Sequence, residues 1–103
     1  MAQESSGNTV LRVIDVMDHP HGGRIYRLRL QSGEPPTVRS LKGATLSARG
    51  PRGEERTVRV NGFALIGGKP SDERIRRTGR IDLIGEEEGE GSPVDLTWTA
   101  SFQ

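Results

Sequence analysis

The chain has 103 residues, of which 31% are hydrophobic and 28% charged, and its formal net charge is +1. This length suits a single domain with a modest core. The near-zero charge excludes a bulk electrostatic argument for nucleic acid or membrane binding. Cysteine is absent, which excludes disulfides, thiolate metal sites and thiol nucleophiles. Met1–Asn8 lacks the apolar core of a secretory signal, and no apolar run approaches the roughly 20 residues that span a bilayer. We therefore expect a soluble, cytoplasmic protein without membrane contact.

The first part of the chain alternates between strand-like runs and turn residues. Residues 1–8 are small and polar and predict a disordered tail ahead of one domain over residues 9–103. Thr9–Met17 is rich in β-branched residues and predicts a strand, with Val10, Ile14 and Val16 on one face. Asp18–Gly23 is dense in turn formers and predicts a hairpin turn. Arg24–Gln31 then alternates as a half-buried strand, with Tyr26, Leu28 and Leu30 inward and Arg27 and Arg29 outward.

The middle of the chain predicts further short strands. Thr37–Leu41 and Ala44–Ala48 are strand candidates, separated by a bend. Arg56–Ile66 begins with clean alternation, with Val58 and Val60 inward. Its phase slips at the Asn61-Gly62 pair, which indicates a β-bulge of the kind that curls a sheet.

The last third contains one helical turn and the most regular strand pattern. Ser71 and Asp72 predict a cap for a short helix through Arg77, with Ile75 as its apolar contact. Arg80–Ile84 predicts a strand, and the acidic, glycine-rich Gly85–Ser92 predicts an exposed, mobile loop. Pro93–Phe102 alternates throughout and predicts a core-lining strand. Its inward side chains are expected to be Val94, Leu96, Trp98, Ala100 and Phe102.

These elements predict an all-β domain. Six or seven short strands with Gly and Pro between them are typical of a barrel or a sandwich. The bulge and the small number of core residues favour a small closed antiparallel barrel, since closure removes exposed edges.

Three stretches carry a resemblance to a known family. They are Arg24–Gly33, with Leu28 at the family's mid-strand glycine, Leu41–Leu46 (LKGATL) and Ile75–Leu83. In this order they resemble the β-barrel second domain of translational GTPases such as elongation factor Tu. The resemblance implies a translation-protein-like, six-stranded Greek-key barrel. It leaves Ser92–Gln103 as an extension, either a seventh strand or a strand given to a partner.

The same resemblance implies a binding role. In the family this domain packs on the nucleotide domain and contacts the acceptor end of aminoacyl-tRNA. The chain contains no G-x-x-x-x-G-K-[ST] motif, so GTP binding is not implied. A free-standing barrel of this kind suits RNA or ribosome association, or protein interaction.

Arginines supply the candidate binding residues. Arg27 and Arg29 point outward from one predicted strand, and four more arginines cluster around the hairpin at residues 49–59. If these two groups are adjacent in the barrel, they form a basic stripe that can bind phosphates. The competing interpretation is an ordinary solvated surface. The candidates for the stripe are Arg27, Arg29, Arg49, Arg52, Arg56 and Arg59.

A second candidate group, for anion binding, is Arg74, Arg76, Arg77 and Arg80. Arg76 and Arg80 have the R-x-x-x-R spacing of cyclic-dinucleotide-binding PilZ barrels, without that family's companion motif. We further hypothesise that this second group attracts the acidic run Glu86–Glu90, within one copy or between copies.

His19 and His21 are the only candidates for metal ligation. Two imidazoles on one turn can meet Zn²⁺ or Ni²⁺, which needs three or four donors, so carboxylates such as Asp15 or Asp18 would have to complete the site. A polar hairpin loop is the competing interpretation. A hydrolase using either histidine as base lacks an identifiable nucleophile.

The sequence therefore predicts a non-enzymatic binding module without a cofactor, monomeric or weakly self-associating. Its expected ligand is RNA or the ribosome, bound through an arginine-bearing face. The alternative is a protein–protein adaptor that uses its last strand, by strand addition, or the barrel rim.

Overall fold

The computed structural model describes residues 9–65 and 69–103, and within these ranges the chain forms a set of short strands and two helices. In chain order the elements are β1 (Val10–Asp18), β2 (Arg24–Ser32), α1 (Val38–Leu41), β3 (Thr45–Arg49), β4 (Glu55–Phe63), α2 (Asp72–Thr78), β5 (Arg80–Glu88) and β6 (Thr99–Phe102). The predicted tail over residues 1–8 and the predicted strand end at Ile66 lie outside the described residues.

The six strands close into an antiparallel barrel in the order β1-β2-β5-β4-β3-β6. Strands β3, β4 and β5 are successive antiparallel neighbours, and β6 returns to lie beside β3, which is a Greek-key arrangement. The predicted all-β antiparallel barrel is therefore confirmed, with six strands rather than seven. β6 pairs with β1 on one side and with β3 on the other, so it is part of the barrel wall and not an extension.

Three register shifts interrupt the strand pairing and bend the wall. One is a β-bulge that leaves Asn61 unpaired between β4 and β5, as the phase slip predicts. The other two lie between β1 and β2, where Ile14 and Gln31 are unpaired. Because a bulge moves the following side chains to the opposite face, Val16 packs against the core and Ile14 does not. The predicted grouping of Val10, Ile14 and Val16 on one face of β1 is therefore wrong.

The predicted strand Thr37–Leu41 is wrong, since α1 occupies this segment. The Thr37 hydroxyl accepts a hydrogen bond from Ser40 N at 3.0 Å, and the Ser40 hydroxyl accepts one from Thr37 N at 3.0 Å. These reciprocal bonds form a capping box that begins the helix. Leu41 is 0% exposed and anchors this turn in the core.

The predicted helix after residue 70 is confirmed as α2. Ser71 is its N-cap, and Gly79 ends it with a φ of 71°, a left-handed conformation that glycine adopts without a Cβ penalty. Ile75 is 2% exposed and anchors the helix. The Asp72 carboxylate accepts a hydrogen bond from Val38 N at 2.7 Å, so α1 and α2 are tied together at one end of the barrel.

The acidic segment is not the predicted mobile loop. β5 continues through Glu88, and Gly85, Glu86, Glu87 and Glu88 pair with β4. Gly85 is buried, and a Cβ at this position would come within 2.7 Å of Arg59 O and 3.4 Å of the Tyr26 ring. The exposed turn begins only after Glu88.

The predicted strand Pro93–Phe102 is wrong for its first half. Only Thr99–Phe102 is a strand. Thr97 has a φ of 72°, which interrupts the extended backbone and its alternation. Trp98 is buried as predicted. Leu96 was expected on the same inward face, but it is 48% exposed.

The barrel interior is filled by side chains. The void at its centre measures only about 10 Å³ and is lined by residues such as Leu28, Val58 and Leu83. That volume is no larger than the minimum that one water requires. A ligand of this domain must therefore bind on the outer face or at the ends.

Candidate functional site

The outer face of β1, β2 and β5 carries three parallel rows of side chains. Each row takes one residue from each strand, at directly opposed register positions. The first row is apolar, the second alternates in charge and the third is wholly basic. They are Met17–Ile25–Ile84, Asp15–Arg27–Asp82 and Arg12–Arg29–Arg80.

The third row, here called the arginine row, consists of Arg12, Arg29 and Arg80. All three residues are exposed. Opposed residues on neighbouring strands have Cβ atoms roughly 5 Å apart, so three positive charges stand side by side. Within residues 9–65 and 69–103, none of the three has an ion-pair partner. The arginine row is therefore a concentrated and uncompensated positive charge.

A groove separates the arginine row from α2. It measures about 510 Å³ and is here called the helix-side groove. The polar side chains that line it include Arg27, Arg29, Ser71, Arg74, Arg80 and Asp82. A second groove of about 530 Å³ lies on the other side of Arg29 and is lined by Arg12 and Leu96. Arg29 thus borders both grooves.

The arginine row combines residues from both predicted groups. Arg29 belongs to the predicted stripe and Arg80 to the predicted anion-binding group, and the pairing of β2 with β5 places them opposite each other. Arg12 was missed. The available signal was its position between the inward residues Leu11 and Val13, which makes it an outward residue.

The remaining members of the predicted stripe do not join this face. Arg49, Arg52, Arg56 and Arg59 belong to the β3–β4 hairpin, and β5 lies between that hairpin and β2. Arg59 lies beside Glu86 of β5, six residues along from Arg80, or about 20 Å at the usual rise per residue. The single stripe that the sequence suggested is therefore wrong.

Three of the four arginines on the hairpin, Arg49, Arg56 and Arg59, pair with carboxylates. Arg49 pairs with Glu55 at 3.3 Å, and Arg59 pairs with Glu88 at 2.9 Å. Both pairs are exposed, so they neutralise charge without adding much stability. Arg52 is exposed at the hairpin tip.

Two members of the predicted anion-binding group, Arg76 and Arg77, are exposed on α2 and do not line the helix-side groove.

Arg56 is buried rather than outward. Its side chain is only 9% exposed and pairs with Glu87, itself 8% exposed, at 3.3 Å. Its guanidinium also donates to the carbonyl oxygens of Gly89, Gly91 and Ser92. Arg56 lies two residues before the inward residue Val58 on the same strand. The alternation of the sequence therefore already placed its side chain on the inner face. Arg56 thus fixes the segment after β5 to the barrel and is not a surface ligand.

Glu87 is the centre of this buried polar network. It accepts hydrogen bonds from Arg24, from the Tyr26 hydroxyl at 2.9 Å and from Val94 N at 3.2 Å. Burial, the charge of Glu87 and the hydrogen bond to it raise the pKa of Tyr26 well above its ordinary value. The network closes the end of the barrel opposite to α1 and α2. Its residues are committed to packing, not to a ligand.

The hypothesised attraction between the basic and acidic runs within one copy is wrong. Arg80 and Glu88 are the first and last residues of β5, so about 26 Å of strand separates them. Glu87 and Glu88 are also engaged by Arg24, Arg56 and Arg59. Pairing between copies remains a prediction.

The two histidines lie together on the β1–β2 turn. Their ring centroids are 5.7 Å apart, and His19 Nδ1 accepts a hydrogen bond from His21 N at 3.2 Å. The described part of the chain contains no group of three His, Cys, Asp or Glu side chains suited to a metal ion. His19 and His21 therefore lack a third protein ligand within that part.

The last strand offers no unpaired edge. β6 is paired on both sides, and Thr97 N and Trp98 O extend the bonding to Val13 of β1. Strand addition to β6 would require its displacement from the barrel.

Among the described residues, no helix is long and apolar enough to cross a membrane.

Comparisons of the chain with protein-family models, with curated proteins and with solved structures found no match. The translation-factor resemblance therefore stays a prediction from the sequence, and the fold and the side-chain geometry carry the functional argument.

Proposed function

We propose that this protein is a non-enzymatic module that binds the phosphate backbone of a nucleic acid, with RNA as the expected ligand. The observation that carries the proposal is the arginine row, an uncompensated line of three guanidinium groups on the closed barrel wall. Guanidinium groups form paired hydrogen bonds with phosphate oxygens and are favoured wherever phosphates are recognised.

The charge distribution supports this proposal better than the net charge does. Elsewhere, Arg24, Arg27, Arg49, Arg56 and Arg59 all have carboxylate partners. Among the described residues, Arg12, Arg29 and Arg80 have no such partner, and these three stand side by side next to a groove of about 510 Å³. A local field of this kind attracts polyanions even when the whole chain is nearly neutral.

The available side chains point to backbone contacts rather than base stacking. Tyr26 and Trp98 are 3% and 4% exposed, and Phe63 and Phe102 pack against the core. Single-strand binders that stack bases need exposed aromatic rings. We therefore expect weak dependence on base sequence and strong dependence on salt.

The test compares the wild type with an Arg12→Gln, Arg29→Gln, Arg80→Gln variant by fluorescence anisotropy, using a labelled RNA of mixed sequence. The variant is expected to lose at least tenfold in affinity. The matched control is Arg49→Gln, Arg52→Gln, Arg59→Gln, which removes the same charge from the other side of the barrel. Equal losses in both triple variants would reduce the effect to net charge and contradict the proposal.

The alternative is a protein adaptor. The paired edges of β6 argue against its strand-addition form, which leaves the barrel rim, where Leu96 is 48% exposed. An adaptor predicts a partner that binds independently of salt and is lost on Leu96→Ser. The arginine row gives no reason to expect such a partner.

A further inference from the structure

The helix-side groove contains one carboxylate among its arginines. Asp82 lies on β5 between Arg80 and Ile84 and directly opposite Arg27 of β2. Its Oδ1 accepts a hydrogen bond from Arg27 Nε at 3.2 Å, and its side chain is 18% exposed. Its backbone oxygen accepts from Ala64 N at 3.0 Å. Asp82 is therefore held in place on both its main chain and its side chain.

A carboxylate is unfavourable in a site that binds only phosphate, because it repels the ligand. It is favourable where the ligand also has a hydroxyl to donate. Within residues 9–65 and 69–103, the bond from Arg27 is the one side-chain hydrogen bond that Asp82 makes. A carboxylate accepts several such bonds. Its second oxygen therefore remains as an acceptor in the groove.

We propose that the helix-side groove takes one ribonucleotide unit of the bound chain, with its phosphate on Arg29 and Arg80 and its 2′-hydroxyl donating to Asp82. This inference rests on the proposed function and adds a preference for RNA over DNA to it. The volume of about 510 Å³ lies within the usual range for small-ligand sites. The 2′-hydroxyl is the group by which proteins distinguish RNA from DNA at a given position.

The test measures the affinities of three labelled oligonucleotides of one sequence: RNA, DNA and fully 2′-O-methylated RNA. The last keeps the ribose oxygen but cannot donate a hydrogen bond. The wild type is expected to bind RNA about tenfold more tightly than either of the others, the effect of one hydrogen bond to a charged group. This comparison uses no variant and does not depend on a mutant fold.

The second arm uses Asp82→Asn, in which the amide oxygen accepts from Arg27 and the amide nitrogen faces the groove as a donor. Because one negative charge is removed, affinity for DNA and for 2′-O-methylated RNA is expected to rise, whereas RNA also loses its hydrogen bond to the carboxylate. The ratio of RNA to 2′-O-methylated RNA affinity is expected to fall to about one, because the amide nitrogen can donate to the 2′-oxygen of either. The matched control is Asp15→Asn, which removes the equivalent charge from the same row outside the groove and should keep the RNA preference.

The outcomes separate the two proposals. Equal wild-type affinities for RNA and DNA would overturn the role of the hydroxyl and leave backbone binding intact. A preference for RNA over 2′-O-methylated RNA retained in Asp82→Asn would overturn the role of Asp82. Absence of binding to all three oligonucleotides would overturn both proposals.

Discussion

Arg29 on β2 lies directly opposite Arg80 on β5, with no acid between them, and Arg12 occupies the equivalent position on the other side of Arg29. Like charges at opposed positions of a sheet are destabilising, by roughly 0.2–1 kcal/mol per pair. The chain thus keeps a repulsive surface arrangement that contributes nothing to folding. A requirement for positive charge at this place explains it.

Replacing Arg29 by Glu should therefore stabilise the fold while it abolishes binding. Arg29→Glu creates two opposite-charge pairs where there were two repulsive ones, so the free energy of unfolding should rise by about 1 kcal/mol or more. Urea denaturation measures the change, and the gain should shrink at high salt. Arg59→Glu is the control, because it breaks the pair with Glu88 and should lower stability instead. A loss of stability in Arg29→Glu would contradict the repulsion argument.

The Glu87 network should dominate the stability of the opposite barrel end. Glu87→Ala leaves the Arg56 guanidinium buried without its counter-charge, and breaking a buried pair in this way costs about 3–5 kcal/mol. Thermal or urea unfolding measures the loss. Glu88→Ala removes a 43% exposed partner of a surface pair and should change stability by no more than about 1 kcal/mol. Similar losses for the two variants would show that burial of Glu87 is not decisive.

Tyr26 should make the protein sensitive to alkaline pH. Its folded-state pKa is raised, whereas the unfolded value is about 10. The folded state therefore holds its proton more tightly, and the stabilisation is complete below about pH 10 and declines as the pH rises above it. Tyr26 is the only tyrosine, so ultraviolet absorbance follows its ionisation directly. Titration of the folded protein at the ordinary value, or stability that is flat above pH 10, would refute this.

Thr97 should be a site of backbone strain. Its φ of 72° is uncommon for a β-branched residue, and the left-handed region costs an L-residue roughly 1–2 kcal/mol. Thr97→Gly should therefore raise the free energy of unfolding by about 0.5–1 kcal/mol, after the entropic cost of glycine is subtracted. Thr99→Gly, in the extended strand β6, should lower it. If both substitutions destabilise the fold, Thr97 is not strained.

The sequence predicted the elements that depend on interactions between residues close together in the chain. The bulge at Asn61 follows from a visible phase slip, and α2 follows from the capping residue Ser71. The strand predicted over Thr37–Leu41 failed because two hydroxyl–backbone bonds formed a helix start that apolar spacing does not reveal. The strand pattern of Pro93–Phe102 failed before Thr99, because Thr97 has a φ of 72° and Leu96 next to it is exposed.

The candidate site was less predictable because it depends on strand pairing. The arginine row draws from β1, β2 and β5, and its register depends on the bulge at Ile14, which no local signal marks. Arg56 had a local signal, its parity with Val58, but its burial depends on meeting Glu87 of a neighbouring strand. Charge clusters along the chain therefore gave two of the three members of the arginine row, Arg29 and Arg80, and placed them in different groups. They also added four residues of the β3–β4 hairpin, which lies elsewhere in the barrel.

The salt dependence of RNA binding tests the central claim most directly. Release of counterions by three arginines predicts that log K falls with log salt with a slope of about −2 to −3 between about 50 and 200 mM salt. The Arg12→Gln, Arg29→Gln, Arg80→Gln variant should reduce that slope towards zero, while the Arg49→Gln, Arg52→Gln, Arg59→Gln control keeps most of it. A wild-type affinity that does not change with salt, or a slope that survives loss of the arginine row, would contradict backbone binding at this face.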